Sequence, residues 1–315
     1  MSNDTMLIFS GSGSLRLTQK ICNYLGVTPG QNQTLKFSEG NLFVRILENV
    51  RGRQVYLVQS TGYPANDNFM ELLFWIDAFK RSSAESVTAI MPYFRYAKGD
   101  KKDEPRVSIR ARVCADAIEI AGADRIVTMD LHAPQIQGFF KKPVDDLYAL
   151  RILCDVVKQK KLPNIVVVSP DTGFAKQARK YASYLKTDLA IGDKQRIDHN
   201  EKAQVLNLIG DVENKTALIV DDVTISGGTL VDMATMLKKR GAREVYVLVT
   251  HGALSAEGVT AINNSPITQV LMTDTIETQP CQLSDKFEII SVASLFGEAI
   301  RRIHNRESIS VLFPK

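Results

Sequence analysis

Residues 217–230 read Ala217-Leu218-Ile219-Val220-Asp221-Asp222-Val223-Thr224-Ile225-Ser226-Gly227-Gly228-Thr229-Leu230. Four apolar residues predict a strand buried on both faces. Two carboxylates follow where such a strand leaves its sheet. A hydroxyl, two glycines and a second hydroxyl then precede a helical pattern in which Leu230, Met233, Ala234 and Leu237 share a face. Gly241, after Lys238-Lys239-Arg240, supplies a stop.

Such a turn has a definite chemistry. Glycines let backbone N–H groups approach an anion, and a helix N-terminus adds partial positive charge. Ser226 and Thr229 can donate to the same phosphate. Asp221 and Asp222 sit where they can accept from sugar hydroxyls or hold Mg2+ through water. Taken alone, the stretch also reads as a tight turn with a helix cap.

Outward from it, strands and helices alternate. Strands are expected over 6–9, 55–59, 87–91, 125–129, 165–168, 188–191, 217–220, 245–249, 270–272 and 288–290. Helices are expected over 15–25, ending at Gly26, and over 69–81, capped by Asn66-Asp67-Asn68, with Met70, Leu73, Phe74 and Ala78 on one face. Further helices are expected over 108–121 and 291–302. Trp75 reads as packing. This alternation predicts an α/β protein with mostly parallel sheets in two similar domains, 1–148 and 149–315. Active sites in such folds lie at the carboxyl ends of strands, where His132, Asp171 and Asp221 all fall.

Two stretches break the pattern. Residues 95–106 (RYAKGDKKDEPR) carry five cations, Gly and Pro, and read either as a solvated loop or as a mobile lid that closes on polyphosphate. Lys194 and Arg196 stand on a polar stretch without apolar periodicity: a solvated loop, or a cation pair that stabilises charge between phosphates. Gly11-Ser12-Gly13 lacks a dinucleotide fingerprint and is assigned no ligand, and no Walker A loop is present.

The 315 residues are 44% hydrophobic and 23% charged, with a formal net charge of +4. That profile carries no nucleic-acid footprint. No apolar run is long enough to cross a membrane, and 6–9 is too short for a signal segment. Cys22, Cys114, Cys154 and Cys281 are widely spaced and read as reduced core thiols, in keeping with a cytoplasmic protein.

Beyond the 217–230 loop, Phe37-Ser38-Glu39, Asn66-Asp67-Asn68-Phe69-Met70-Glu71-Leu72-Leu73, Pro92-Tyr93-Phe94, TMDLHAPQIQGFF (128–140), Ser169-Pro170-Asp171, Lys194-Gln195-Arg196, Thr250-His251-Gly252 and Arg301-Arg302-Ile303-His304-Asn305 resemble the ribose-phosphate pyrophosphokinase family over nearly the whole chain. The resemblance implies two type I phosphoribosyltransferase-like domains. It also implies transfer of the diphosphoryl group of Mg-ATP to the 1-hydroxyl of ribose 5-phosphate, giving phosphoribosyl pyrophosphate and AMP.

By the same resemblance, Phe37, Glu39, Asn41, Lys98, Asp103 and Arg106 would serve ATP, Phe37 against adenine and Glu39 at its amino edge. His132 and Asp171 would contact the ATP-bound Mg2+. Lys194 and Arg196 would be catalytic, stabilising the diphosphate in transfer. Asp221, Asp222, Ser226, Gly227, Gly228 and Thr229 would bind ribose 5-phosphate. Dimers stacked into a hexamer, and an ADP or phosphate effector near Arg51 and the 308–313 tail, are implied as well.

The chain departs from the family pattern at Asn41 (usually Glu), Lys98-Gly99 (usually Arg-Gln), Ile225 (usually Asp) and Ser226 (usually Thr). These substitutions keep a second reading in play: a weakly active or non-catalytic regulatory paralogue that binds nucleotide and joins an active synthetase. A phosphoribosyltransferase acting on a base shares the ribose loop but leaves the His132 segment and the lid without a role.

Overall fold

The computed structural model describes residues 6–196, 203–277 and 283–313. They form two compact units. The first takes the chain up to Tyr148, the piece Thr275–Glu277 and the chain from Ser291 onward. The second takes Ala149–Asp274 and a last strand ending at Ile290. Sequence order placed all of 149–315 in one domain, whereas the terminal helix belongs with the first unit.

The first unit holds strands β1 (Met6–Ser10), β2 (Asn32–Lys36), β3 (Leu42–Ile46), β4 (Gln54–Val58), β5 (Ser86–Met91), β6 (Arg125–Met129) and β7 (Val144–Leu147), with helices α1 (Leu15–Leu25), α2 (Ala65–Arg81) and α3 (Arg110–Ala121). β1-β4-β5-β6-β7 form a parallel sheet in that order, and β2-β3 form a separate antiparallel hairpin. α1 stops at Gly26, whose left-handed φ of 69° returns its N–H to the carbonyls of Asn23 and Cys22.

α2 departs from the sequence expectation. It starts at Ala65, with Pro64 as cap residue, so Asn66-Asp67-Asn68 lie inside the helix instead of capping it. Its buried stripe is Asn68, Phe69, Glu71, Leu72, Trp75, Ile76 and Phe79, while Met70 stays exposed. The helix turns its Trp75 side inward because Trp75 stacks on Phe79 at 5.5 Å and Phe79 meets Phe9 of β1 at 4.7 Å. Burying those rings outweighs burying Met70.

The second unit runs α4 (Leu150–Lys160), β8 (Ile165–Ser169), α5 (Ala175–Leu185), β9 (Asp188–Arg196), β10 (Ala203–Ile209), β11 (Thr216–Thr224), α6 (Gly228–Lys239), β12 (Glu244–Gly252), α7 (Ala256–Asn263), β13 (Gln269–Thr273) and β14 (Phe287–Ile290). Its sheet has the order β10-β9-β8-β11-β12-β13-β14. All neighbours are parallel except β9 and β10. From β8 the chain adds strands outward in one direction, then returns to β11 and builds outward in the other. The junction of β8 and β11 is therefore the topological switch point, where such sheets open a crevice for ligands.

β10 was absent from the sequence reading. Residues 194–196, expected in a polar loop, continue β9 as one arm of a β9-β10 hairpin. Backbone pairing, not side-chain hydrophobicity, makes this strand.

The chain closes with α8 (Ala293–His304) in the first unit. Phe296, Ala299 and Ile300 are fully buried there. Gly297 lets α8 approach α1, since a Cβ there would stand 2.5 Å from a ring carbon of Tyr24. No described helix is long and apolar enough to cross a membrane. Cys22, Cys114 and Cys154 are buried free thiols, and burial pushes them up to about 12, about 11 and about 12. Cys281 lies outside the described residues.

Candidate active site

In the second unit the switch point carries acids on both strands. Asp171 follows β8, and its Oδ1 accepts the N–H of Phe174 at 2.9 Å, which shapes the turn into α5. Asp221 and Asp222 belong to β11 itself. Asp221 Oδ1 accepts the N–H of Asp222 at 2.9 Å, and Asp222 Oδ1 accepts that of Val223 at 2.8 Å. Burial pushes the Asp221 carboxyl well above the ordinary carboxylate range. The charge of Asp222 pushes the same way, and that of Asp171 adds to it. Asp171 at the end of β8 and the acids of β11 are thus close enough for their charges to act on one another.

Beside them the chain turns into α6. Gly227 is the cap residue, at a left-handed φ of 72°, and a Cβ on it would stand 3.0 Å from Ile262 Cγ1. Both facts call for glycine. Gly228 begins the helix, and its N–H donates to Ser226 Oγ at 3.4 Å. The first-turn amides of a twelve-residue helix, with Ser226 and Thr229, thus follow directly on the acids, and helix N-termini of this kind suit anions. Ile225 is 37% exposed at its lip, and its carbonyl accepts the N–H of Ser255 at 3.1 Å.

Lys194 and Arg196 are on β9, paired in register with Val205 and Ala203. On the other side of β9, Ile191 pairs with Ser169, the last residue of β8. The backbone of Lys194 thus lies about 10 Å beyond the end of β8 at a strand rise of about 3.3 Å per residue. That is the same sheet end as Asp171.

In the first unit Phe37, Glu39 and Asn41 share the loop joining β2 to β3. The loop is closed by Phe37 N–H to Asn41 O and Gly40 N–H to Phe37 O, both 2.8 Å. Phe37 is 47% exposed. Its ring lies 6.1 Å from that of Phe43, and the Arg45 guanidinium sits over Phe43 at 5.1 Å. An open aromatic face flanked by a cation suits a planar base.

The 95–106 stretch divides in two. Arg95–Gly99 is a short 3-10 turn, held by the Phe69–Tyr96 edge contact at 5.4 Å and by Tyr96 Oη donating to Asn66. Lys98 points to solvent, and 101–106, with Asp103 and Arg106, is exposed throughout. Glycine at 99 is required by packing rather than by flexibility. It is buried, and a Cβ there would stand 2.6 Å from Arg110 Nε.

His132 is exposed in the turn after β6. Sequence reasoning missed what holds that turn. Asp146 on β7 is 1% exposed, and its Oδ1 accepts the N–H of Leu131 at 3.1 Å. A charged residue midway along a short strand was the available signal. His132 belongs to the first unit and Asp171 to the second.

The fold and the β11–α6 turn define an α/β protein of the phosphosugar-binding class. A family profile described as the N-terminal domain of ribose phosphate pyrophosphokinase matches residues 6–122. A second, for the phosphoribosyl synthetase-associated domain, matches 197–314. The ribose-phosphate pyrophosphokinase of Rhizobium meliloti (strain 1021) is 46% identical over 310 residues, covering 98% of this chain and all of the relative. That of Gloeobacter violaceus is 43% identical over 314 residues, covering 99% of this chain and 94% of the relative. The crystal structure of phosphoribosylpyrophosphate synthetase from Mycobacterium smegmatis superposes with a TM-score of 0.90 at 35% identity, over 96% of this chain and 99% of that one. The chain belongs to the ribose-phosphate pyrophosphokinase family.

Proposed function

We propose that this protein is a ribose-phosphate pyrophosphokinase, moving the diphosphoryl group of ATP to the 1-hydroxyl of ribose 5-phosphate and releasing AMP. The observation that carries the reading is the β11–α6 turn, with two adjacent acids for the ring hydroxyls and a Ser-Gly-Gly-Thr cradle for the 5-phosphate. The sugar, anchored at both ends, presents its anomeric hydroxyl in a fixed direction. Holding two reactants in such an orientation supplies much of the acceleration in reactions of this type.

On this reading Phe37, Glu39 and Asn41 take the adenine, while Lys98, Asp103 and Arg106 face the phosphates. Lys194 and Arg196 stabilise negative charge that develops on the transferred group. Among the described residues no cluster of three or more His, Cys, Asp or Glu could hold a metal alone. That suits Mg2+, which keeps waters and substrate phosphates as ligands and asks for few protein donors. His132 and Asp171 are the residues proposed to contact the ATP-bound Mg2+. When bound, Mg2+ neutralises phosphate charge and polarises the transferring group. An oligomer, an ADP or phosphate effector at Arg51 and the 308–313 tail, and a cytoplasmic setting complete the reading.

The test is AMP release by the purified chain from Mg-ATP, with and without ribose 5-phosphate. AMP formed only with the sugar phosphate is the expected result. No AMP from a folded protein that still binds ATP overturns the catalytic reading in favour of a nucleotide-binding partner subunit.

A further inference from the structure

Glu71 on α2 is 2% exposed, yet all the groups that donate to it are neutral. Its Oε1 accepts from Ser12 N at 3.1 Å, Ser12 Oγ at 3.0 Å, Thr34 Oγ1 at 2.7 Å and Trp75 Nε1 at 3.2 Å. Its Oε2 accepts from Gln59 Nε2 at 3.0 Å, with Ser12 N at 3.3 Å. Gln59 is fixed in turn, because its Oε1 accepts from Gly13 N at 2.9 Å and its Nε2 also donates to Asn68 O at 3.1 Å.

This accounts for the Gly11-Ser12-Gly13 turn. A Cβ at Gly11 would stand 2.3 Å from Gln59 Oε1, and one at Gly13 would stand 2.6 Å from Ser60 O. The glycines serve close packing around a buried carboxylate, and Ser12 serves it directly. Burying an ionised carboxylate is costly unless several donors surround it. A neutral core residue of equal size would be the simpler way to fill the space. What the acid adds is direction: one carboxylate joins the turn after β1, the end of β4, α2 and the β2 strand.

The link to β2 points to a role in the reaction. Thr34 lies three positions before Phe37 on the strand that leads into the proposed nucleotide loop. A second tie, Lys36 Nζ to Asp67 Oδ2 at 2.5 Å, joins the same strand to α2 but is largely exposed and therefore weak. The hairpin forms a two-stranded sheet of its own; its β3 side packs on the core through Val44 and Ile46, while β2 is held by polar ties, Asn32 Nδ2 also donating to Ser10 O at 2.6 Å. The hairpin's orientation depends on what anchors it.

We infer that Glu71 is a positioning residue: through Thr34 it holds the β2-β3 hairpin so that Phe37, Glu39 and Asn41 are set for the base of ATP. The inference rests on the proposed assignment of that loop to ATP.

The experiment compares steady-state kinetics of Thr34→Val, Thr34→Ser, Glu71→Gln and Phe37→Ala. Thr34→Val removes one hydroxyl from a half-buried strand and leaves the rest of the network in place, so it is the variant that folds even if Glu71→Gln does not. It is expected to raise KM for ATP about three- to tenfold, the scale of one weakened charge-assisted hydrogen bond. KM for ribose 5-phosphate and kcat stay within about twofold, and Thr34→Ser restores the ATP value. Equal rises in both KM values, or no restoration by serine, would make the network purely structural and overturn the inference. An unchanged KM for ATP in Thr34→Val, alongside a raised one in Phe37→Ala, overturns it while leaving the loop assignment standing. An unchanged value in both overturns the two together.

Discussion

Asp221 Oδ1 accepts the backbone N–H of Asp222 at 2.9 Å, which fixes the Asp221 carboxyl against the main chain of its neighbour. β-strand neighbours ordinarily point to opposite faces. Here both carboxyls are close enough for one to raise the proton affinity of the other. On the proposed reading the pair accepts from the vicinal hydroxyls of the sugar.

Replacing Asp222 by Ala is accordingly expected to weaken ribose 5-phosphate about tenfold or more, on the scale of lost hydrogen bonds to a charged group. ATP affinity should change by less than about twofold. Isothermal titration with each substrate separately checks this, and the reverse order would remove the β11 acids from the sugar site.

The raised affinity of Asp221 for its proton also has a sign in stability. Its folded value lies above the ordinary 3.8. The associated stability is therefore complete below that ordinary value and is lost as pH rises through the folded one. Asp221→Asn should abolish this loss. Urea unfolding midpoints from about pH 4 to about pH 8 should show the variant gaining on the parent as pH rises; parallel curves would contradict the burial argument.

Glu298 behaves in the opposite direction. Its carboxylate accepts from Arg301 at 2.8 Å and from Arg302 at 2.6 Å. These hydrogen bonds, Arg301's first, pull it down to about 2 from an ordinary 4.5. The depressed value makes its contribution complete above 4.5 and lost as pH falls toward about 2. Glu298→Gln should narrow the gap between neutral and acid thermal midpoints by lowering the neutral one, with little effect near the acid end.

Gly227→Ala forces a Cβ into a left-handed position at 72° and to 3.0 Å from Ile262 Cγ1. A cost of about 1–2 kcal/mol follows from the backbone alone. Because relief requires moving the phosphate turn, the KM for ribose 5-phosphate should rise with the stability loss. A variant that is destabilised but binds the sugar phosphate normally would separate the turn from the ligand.

Lys194→Ala should lower kcat about 10²–10³-fold, the scale of one lost charge-stabilising donor, with little change in thermal midpoint. Near-normal turnover would remove Lys194 from the catalytic role.

Much of this was legible in the chain because it depends on neighbours in sequence. The apolar run and Gly-Gly turn of 217–230 announce a strand, a tight turn and a helix through local backbone chemistry alone. Gly26 and Gly241 mark helix ends for the same reason, and the two left-handed φ values, 69° and 83°, fall at those positions. Motif residues such as Asp171 and His132 could be placed at strand ends from periodicity.

Other features depend on partners remote in sequence. The buried face of α2 follows Trp75, Phe79 and Phe9 together, and no helical period shows which apolar stripe will find rings to meet. β10 exists through register with β9, and the terminal helix joins the first unit because Gly297 fits against Tyr24. The role of Glu71 is the sharpest case. The sequence places an acid on an amphipathic helix, where a solvated charge is the ordinary expectation. Only the folded chain brings Ser12, Thr34, Gln59 and Trp75 around it. The sequence by itself determined the alternation of strands and helices and the chemistry of each turn, since both are short-range. The tertiary structure decided which carboxylates are buried, what orients them and where the sheet order reverses, because those depend on contacts between residues far apart along the chain.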